Sequence, residues 1–411
     1  MKAYMLKTDK RIEPFGDHPG NCLIVNKPLK EHQEEVLEGL KIDLVTVASE
    51  SEIRDQQEHL AFGDHLYFTP EFLREFITRS RRAGGKTVAA LKPGLGTLRT
   101  VVKTQEVAIL PDRVEYDLRY VPAGQPEGKC QAITIDPGDL QDGIPFPSHL
   151  FGDFSYNVPL TDKLVTQIDH WTNLWSANIA TLLAEGARLK NSPKLRLLKL
   201  ALKARSTNQW KVLRQINKIG HGCDIHPTAY IEGCTIGNNV KIGAMAVVRE
   251  SVVGDGAYIA NNASVELSVI GEHCALQGGA VVQYSVLYPG VLTTTHFVNA
   301  SMCGRDSFIA AGAVPTDFRF DGNSVTVMKN NAKVDTGNSF LGACLGHGAY
   351  MGSGCILAPG RAVPNGLKIT PGDERVLSGF NSGHEIEGFR IIRRNNGREA
   401  AHSKLVMEEV K

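Results

Sequence analysis

Residues 236–270 read IGNNVKIGAMAVVRESVVGDGAYIANNASVELSVI, and the aliphatic pattern in this stretch extends to both sides of it. Aliphatic residues return at Ile225, Ile242, Ile259 and Leu276, at Ile231, Val248, Val265 and Val282, and at Ile236, Val253, Ile270 and Leu287, always after 17 residues. Successive members of the three ladders lie six, five and six residues apart, so one period divides into three short strands and three tight corners. Gly237, Asn238, Asn239, Gly243, Gly254, Gly256, Asn261 and Asn262 fall at the corners, where Gly and Asn accept positive φ at little cost. One triangular coil cannot bury its own apolar edge, but a stack of coils buries a continuous column; the repeat therefore predicts a solenoid.

The remaining composition bounds the function classes. The chain has 411 residues, enough for two or three cores, and a formal net charge of +1, which offers nucleic acid no global attraction. It contains no apolar run of eighteen residues and no secretory signal after Met1. Eight scattered cysteines read as reduced cytosolic thiols, so a cytoplasmic location is expected.

Along the chain, residues 1–160 alternate β-rich runs with two helices, near 30–40 and 70–82, which predicts an α/β layer. Residues 161–218 read as a helical linker, 219–366 as the solenoid with an irregular insertion at about 288–340, and 367–411 as a polar tail. Residues 186–223 carry ten Lys or Arg and no Asp or Glu. Within them, 194–205 forms a basic amphipathic helix with two readings: peripheral contact with an anionic membrane, or leucines packed on the neighbouring domain with lysines in water.

The amino-terminal motifs resemble those of sugar-1-phosphate nucleotidyltransferases. The match is carried by the opening strand Met1–Leu6, Asn26-Lys27-Pro28-Leu29, Gly63-Asp64-His65 and Leu174-Trp175-Ser176-Ala177-Asn178. Followed by a hexapeptide-repeat solenoid, they resemble bifunctional N-acetylglucosamine-1-phosphate uridylyltransferase/acetyltransferases. The resemblance implies an α/β domain, a helical linker and a left-handed parallel β-helix. Arg11, at the family's loop arginine, and Lys27 become candidate cofactor-binding residues, with Asp64 a candidate Mg²⁺ ligand if this domain is active. The departures imply a degenerate site: Lys7–Phe15 contains no glycine to cradle phosphates, Gly20 stands at the family's lysine, and the base-recognising section is short.

The same resemblance implies a homotrimer whose solenoid transfers an acyl group from acetyl-CoA or another thioester to a sugar phosphate or sugar nucleotide of cell-envelope metabolism. Such transfer needs a general base, for which His296 is the candidate. Asn299 and Asp317 stand where the family places a Tyr and an Asn, and His347, between two glycines, is a candidate contact for the thioester donor. A metal reading of His221, Cys223 and His226 lacks a fourth ligand at a fixed spacing. A non-catalytic scaffold and an active nucleotidyltransferase remain the alternatives.

Overall fold

The computed structural model describes the chain except residues 55, 95–96, 98–99, 125–129, 139, 146–154, 320, 373–390, 395–404 and 409–411. Strands β1 (Lys2–Leu6), β2 (Asp43–Val47), β3 (His59–Gly63), β4 (Thr87–Leu91), β5 (Val114–Val121) and β6 (Gln131–Ile135) form one mixed sheet in the order β6-β4-β5-β3-β1-β2. Strand β1 runs parallel to β2 and β3, whereas β5 is antiparallel to both its neighbours. In β5, Val114, Tyr116, Leu118 and Tyr120 alternate inward with the period of two that a strand imposes. Helices α1 (Leu29–Gly39) and α2 (Pro70–Ala83) complete the layer. Helix α2 begins where Thr69 Oγ1 accepts the Phe72 N–H and Pro70 needs no donor, and it ends at Gly84 with φ +72°.

The carboxy-terminal region is a left-handed parallel β-helix. Its ladders pair in register, for example Ile242 with Ile259 and Ile259 with Leu276, and form one column that includes Val248, Val265, Ile270 and Val282. Corner residues Asn239, Gly256, His273, Gly290 and Asp306 all take positive φ, so His and Asp accept the left-handed conformation where the stack demands it. At Gly290, a Cβ would strike the Asp306 carboxylate of the next coil.

Coil stacking continues further than the sequence expectation of an irregular stretch over 288–340. Strands at Leu292–Thr293, Phe297–Asn299, Met302–Cys303 and Phe308–Ile309 remain in register because one residue is dropped from a corner, changing the step from 17 to 16 without turning any side chain round. The true insertion follows Asp317. It is an antiparallel hairpin, Thr326–Lys329 with Ala332–Asp335, closed at its base by a Phe318–Phe340 bridge. Stacking then resumes at Cys344–Leu345, and the last described rung is Lys368–Ile369. The expected tail lies mostly outside the described residues, apart from that rung and a strand pair at Ile391–Arg394 and Leu405–Glu408.

The expected linker also differs. Val165–Gln167 pairs with Leu66–Phe68 in the amino-terminal domain, and α3 (Trp171–Lys190) is buried between the two domains. Trp171, Leu174 and Trp175 share a core with Leu267, Val269, Val286, Tyr288 and Met302 of the solenoid. Trp175 Nε1 donates to Tyr284 O at 2.7 Å, while Asn178 accepts from the Val25 N–H at 2.6 Å and donates to Leu23 O at 3.0 Å. A helix apolar around most of its circumference cannot serve as an exposed spacer. Two solvent-facing helices follow, α4 (Lys194–Ala204) and α5 (Gln209–Leu213). Among the described residues no helix is long and apolar enough to cross a membrane.

Because Ile259 is fully buried in the column and Tyr258 points outward, the two substitutions should separate in urea denaturation. Ile259→Ala is expected to cost about 2–5 kcal/mol. Tyr258→Ala is expected to cost less than about 1 kcal/mol. Equal losses would contradict the inward register.

Candidate functional site

The solenoid face built from Tyr230–Glu232, Val247–Arg249, Ser264–Glu266, Val281–Gln283 and Phe297–Asn299 carries a polar ladder at its last outward position. Arg249 bonds Glu232 and reaches Glu266 at 3.4 Å, and Gln283 Nε2 donates to Glu266 at 3.2 Å. Beyond Gln283 stand Asn299 and Asp317, joined by an Asn299 Nδ2 to Asp317 Oδ2 bond of 2.5 Å. Burial pushes the Asp317 carboxyl above its ordinary pKa, against the lowering effect of the Asn299 amide. Asn299 Oδ1 is buried with no hydrogen-bond partner.

His296 precedes the strand that bears Asn299, about 10 Å along the chain at strand rise. Its side chain is exposed and lies over the bare corner of Gly279 in the preceding coil. Phe297 beside it is also exposed, at 38%. The structure thus brings Asn299 and Asp317 together, with His296 at the far end of the same short strand.

His347 occupies a different place from the one its glycine flanks suggest. The Arg305 N–H donates to Nδ1 at 2.8 Å, which leaves the ring proton on Nε2, 3.2 Å from Asp17 Oδ2 of the amino-terminal domain. Arg305 Nη1 binds Asp17 at 2.6 Å, Phe15 packs against both His347 and Tyr288, and Asn365 donates to Phe15 O at 2.8 Å. Burial pushes the Asp17 carboxyl up, but His347 and Arg305 together hold it below its ordinary value. His347 is therefore a latch between the domains, with both ring nitrogens engaged.

The amino-terminal candidates are dispersed. Arg11 is exposed, and Lys27 pairs with Glu35 at 2.6 Å. Asp64 is buried and already bonded: the Thr8 N–H and hydroxyl donate to its two oxygens at 2.9 and 2.8 Å, and His18 Nε2 lies 3.2 Å away. Burial raises its carboxyl, but His65, Thr8 and His18 prevail and hold it below the ordinary range. Among the described residues no three His, Cys, Asp or Glu side chains form a group able to hold a metal. Asp64 is thus the candidate carboxylate with both oxygens already bonded to Thr8. A cleft of about 350 Å³ beside it is lined by Lys7, Asp9, His18, Gly20 and Lys30. Lys30 lies against the bare Gly20, a spatial neighbour that chain spacing did not reveal.

A second, partly buried charged cluster was not anticipated. Asp169 bonds Lys10 and accepts the Glu106 N–H at 2.7 Å, while Lys329 from the hairpin reaches Glu106 at 3.3 Å and Thr104 O at 2.7 Å. Next to it, His170 Nε2 donates to Met328 O at 3.1 Å. The only sequence signal was Asp169-His170 at the start of the domain-closing helix, and the partners are more than sixty residues away. Burial pushes the His170 imidazole down from 6.5 to about 4. The unfolded chain therefore takes up this proton first, so the stability that neutral His170 contributes is complete above pH 6.5 and is lost as pH falls toward 4. The loss should be on the order of 3 kcal/mol. Urea melts at pH 7 and 4.5 should show a shallower pH dependence for His170→Gln; an unchanged dependence would contradict this assignment.

A family model described as the GMPPB C-terminal domain matches residues 211–303, the stretch that holds the first coils together with His296 and Asn299. No curated protein sequence matches the chain. Among solved structures, a GDP-perosamine N-acetyltransferase from Caulobacter crescentus, a histidine-to-alanine mutant with CoA and GDP-perosamine, is 21% identical over 30% of this chain and 56% of its own, with a TM-score of 0.18. The histidine-to-asparagine mutant of perosamine N-acetyltransferase from the same organism is 26% identical over the same shares, with a TM-score of 0.16. A putative acetyltransferase from Bacillus cereus is 17% identical over 36% of this chain and 75% of its own, with a TM-score of 0.14. The chain spans about half the length of the two perosamine enzymes it matches.

Proposed function

We propose that the solenoid transfers an acyl group from acetyl-CoA or a related thioester to an amino or hydroxyl group of a sugar phosphate or sugar nucleotide. What carries this reading is the Asn299–Asp317 pair, bonded through Asn299 Nδ2, on the strand that begins beside the exposed His296. In this scheme Asn299, braced by Asp317, orients the acceptor. His296 takes the proton from the attacking nitrogen or oxygen as that atom bonds to the thioester carbonyl. Collapse of the tetrahedral intermediate breaks the C–S bond, and the thiolate leaves with a proton. The enzyme works as a homotrimer in the cytoplasm, and the amino-terminal domain is inactive in nucleotidyl transfer, its Asp64 being committed to Thr8 and His18.

A second reading, a non-catalytic scaffold, is favoured by one observation: the loop that would hold phosphates is latched to the solenoid through Asp17, Arg305 and His347. The readings separate when acetyl-CoA is incubated with amino-sugar nucleotides and free thiol is followed. Acyl transfer requires a loss of about 100-fold or more in kcat/KM for His296→Ala. Asn299→Ala should act mainly by raising KM. Equal thiol release from wild type and His296→Ala removes His296 from the mechanism, and absence of turnover together with absence of a thermal shift on adding CoA thioesters favours the scaffold.

A further inference from the structure

Helix α4 leaves an apolar stripe without a partner. Leu197, Leu200, Ala201 and Ala204 are half-buried, whereas Leu195, Leu198 and Leu202 are 63%, 55% and 68% exposed. At 3.6 residues per turn the three exposed leucines fall within about 60° of arc. The same wheel places Lys199 and Lys203 on one side of the stripe and Lys194 on the other, Arg205 follows as the C-cap, and the helix and its flanks from 186 to 223 hold no carboxylate. A solvated helix gains nothing from three adjacent bare leucines, and a protein-packed one would cover them. Cations on both shoulders of an outward apolar stripe match a surface whose apolar interior lies under a layer of negative charge.

We propose that α4 is a membrane-contact helix that lies in the interface of an anionic bilayer, with Leu195, Leu198 and Leu202 dipping below the headgroups and the flanking lysines and arginines reaching lipid phosphates. Lysine and arginine stems are long enough to extend sideways to that level while the leucines insert. The chain would thereby be held at the membrane surface without crossing it. The inference is independent of the acyl-transfer reading, because it concerns a helix outside the ladder that bears His296.

The test is flotation of the full chain with phosphatidylcholine vesicles, with and without 30% phosphatidylglycerol, at low and high salt. The wild type should float with the anionic vesicles, lose binding as salt rises, and stay unbound to pure phosphatidylcholine. Leu195→Gln/Leu198→Gln/Leu202→Gln and, separately, Lys199→Glu/Lys203→Glu should each reduce partitioning by about tenfold or more, with thermal melts confirming an intact fold. No flotation of the wild type at low salt overturns the proposal. So does flotation that the leucine variant leaves unchanged. A variant that alters the sedimentation-derived oligomeric state of a wild type that does not float assigns the stripe to a contact between copies and likewise overturns it.

Discussion

Everything in this molecule depends on the burial of one solenoid face under α3. Four successive two-residue strands of that face are apolar at both positions: Val252-Val253, Val269-Ile270, Val286-Leu287 and Met302-Cys303. The inner members fill the column, and the outer ones need a cover. Trp171, Leu174 and Trp175 supply it, and the Trp175 indole and the Asn178 amide fix the helix to the solenoid on one side and to the Leu23–Val25 backbone on the other. The two domains consequently share a core.

The other interdomain contacts follow from this docking. With α3 in place, the loop after β1 lies along the solenoid corners, where Phe15 and Asp17 meet Tyr288, Arg305 and His347. The hairpin at 326–335 closes the opposite flank through Lys329 and the Met328 carbonyl. The first contact occupies His347, which sequence reasoning had reserved for a thioester donor. What stays open on the solenoid is the polar-ladder face that ends at Asn299 and Asp317, and on the helices the leucine stripe of α4.

The 17-residue ladder made the β-helix legible because the inward positions obey one period and the corners announce themselves in Gly and Asn. Thr69-Pro70 and Gly84 likewise mark the bounds of α2. The same string of letters held the clue to α3 docking, in the doubled apolar residues at Val269-Ile270 and Val286-Leu287, but a period read only for its inward member overlooks the outward one. The extent of the insertion was misjudged because a one-residue deletion near Thr295 looks like loss of register, although the strands beyond it still stack. His347 was opaque for a different reason: its partner Asp17 lies 330 residues away, and no local pattern announces so distant an ion pair. Asn299 and Asp317 were singled out by alignment to a family motif. Their bond to each other, and the unsatisfied Asn299 oxygen, belong to the coil stacking and could not be read from spacing.

The amino-terminal loop is pinned to the solenoid through Asp17, Arg305 and His347, and the proposal that it does not close on nucleotide follows from this latch. Hydrogen exchange across residues 9–20 tests it most directly, since the Ile12 and Gly16 amides are bonded to Asp17 O and Ile12 O within the latched loop. The account requires these amides to exchange slowly in the free protein, at rates that a nucleoside triphosphate with Mg²⁺ leaves unchanged, and to be released by Arg305→Ala. Fast exchange in the free protein that becomes protected on adding nucleotide would contradict it.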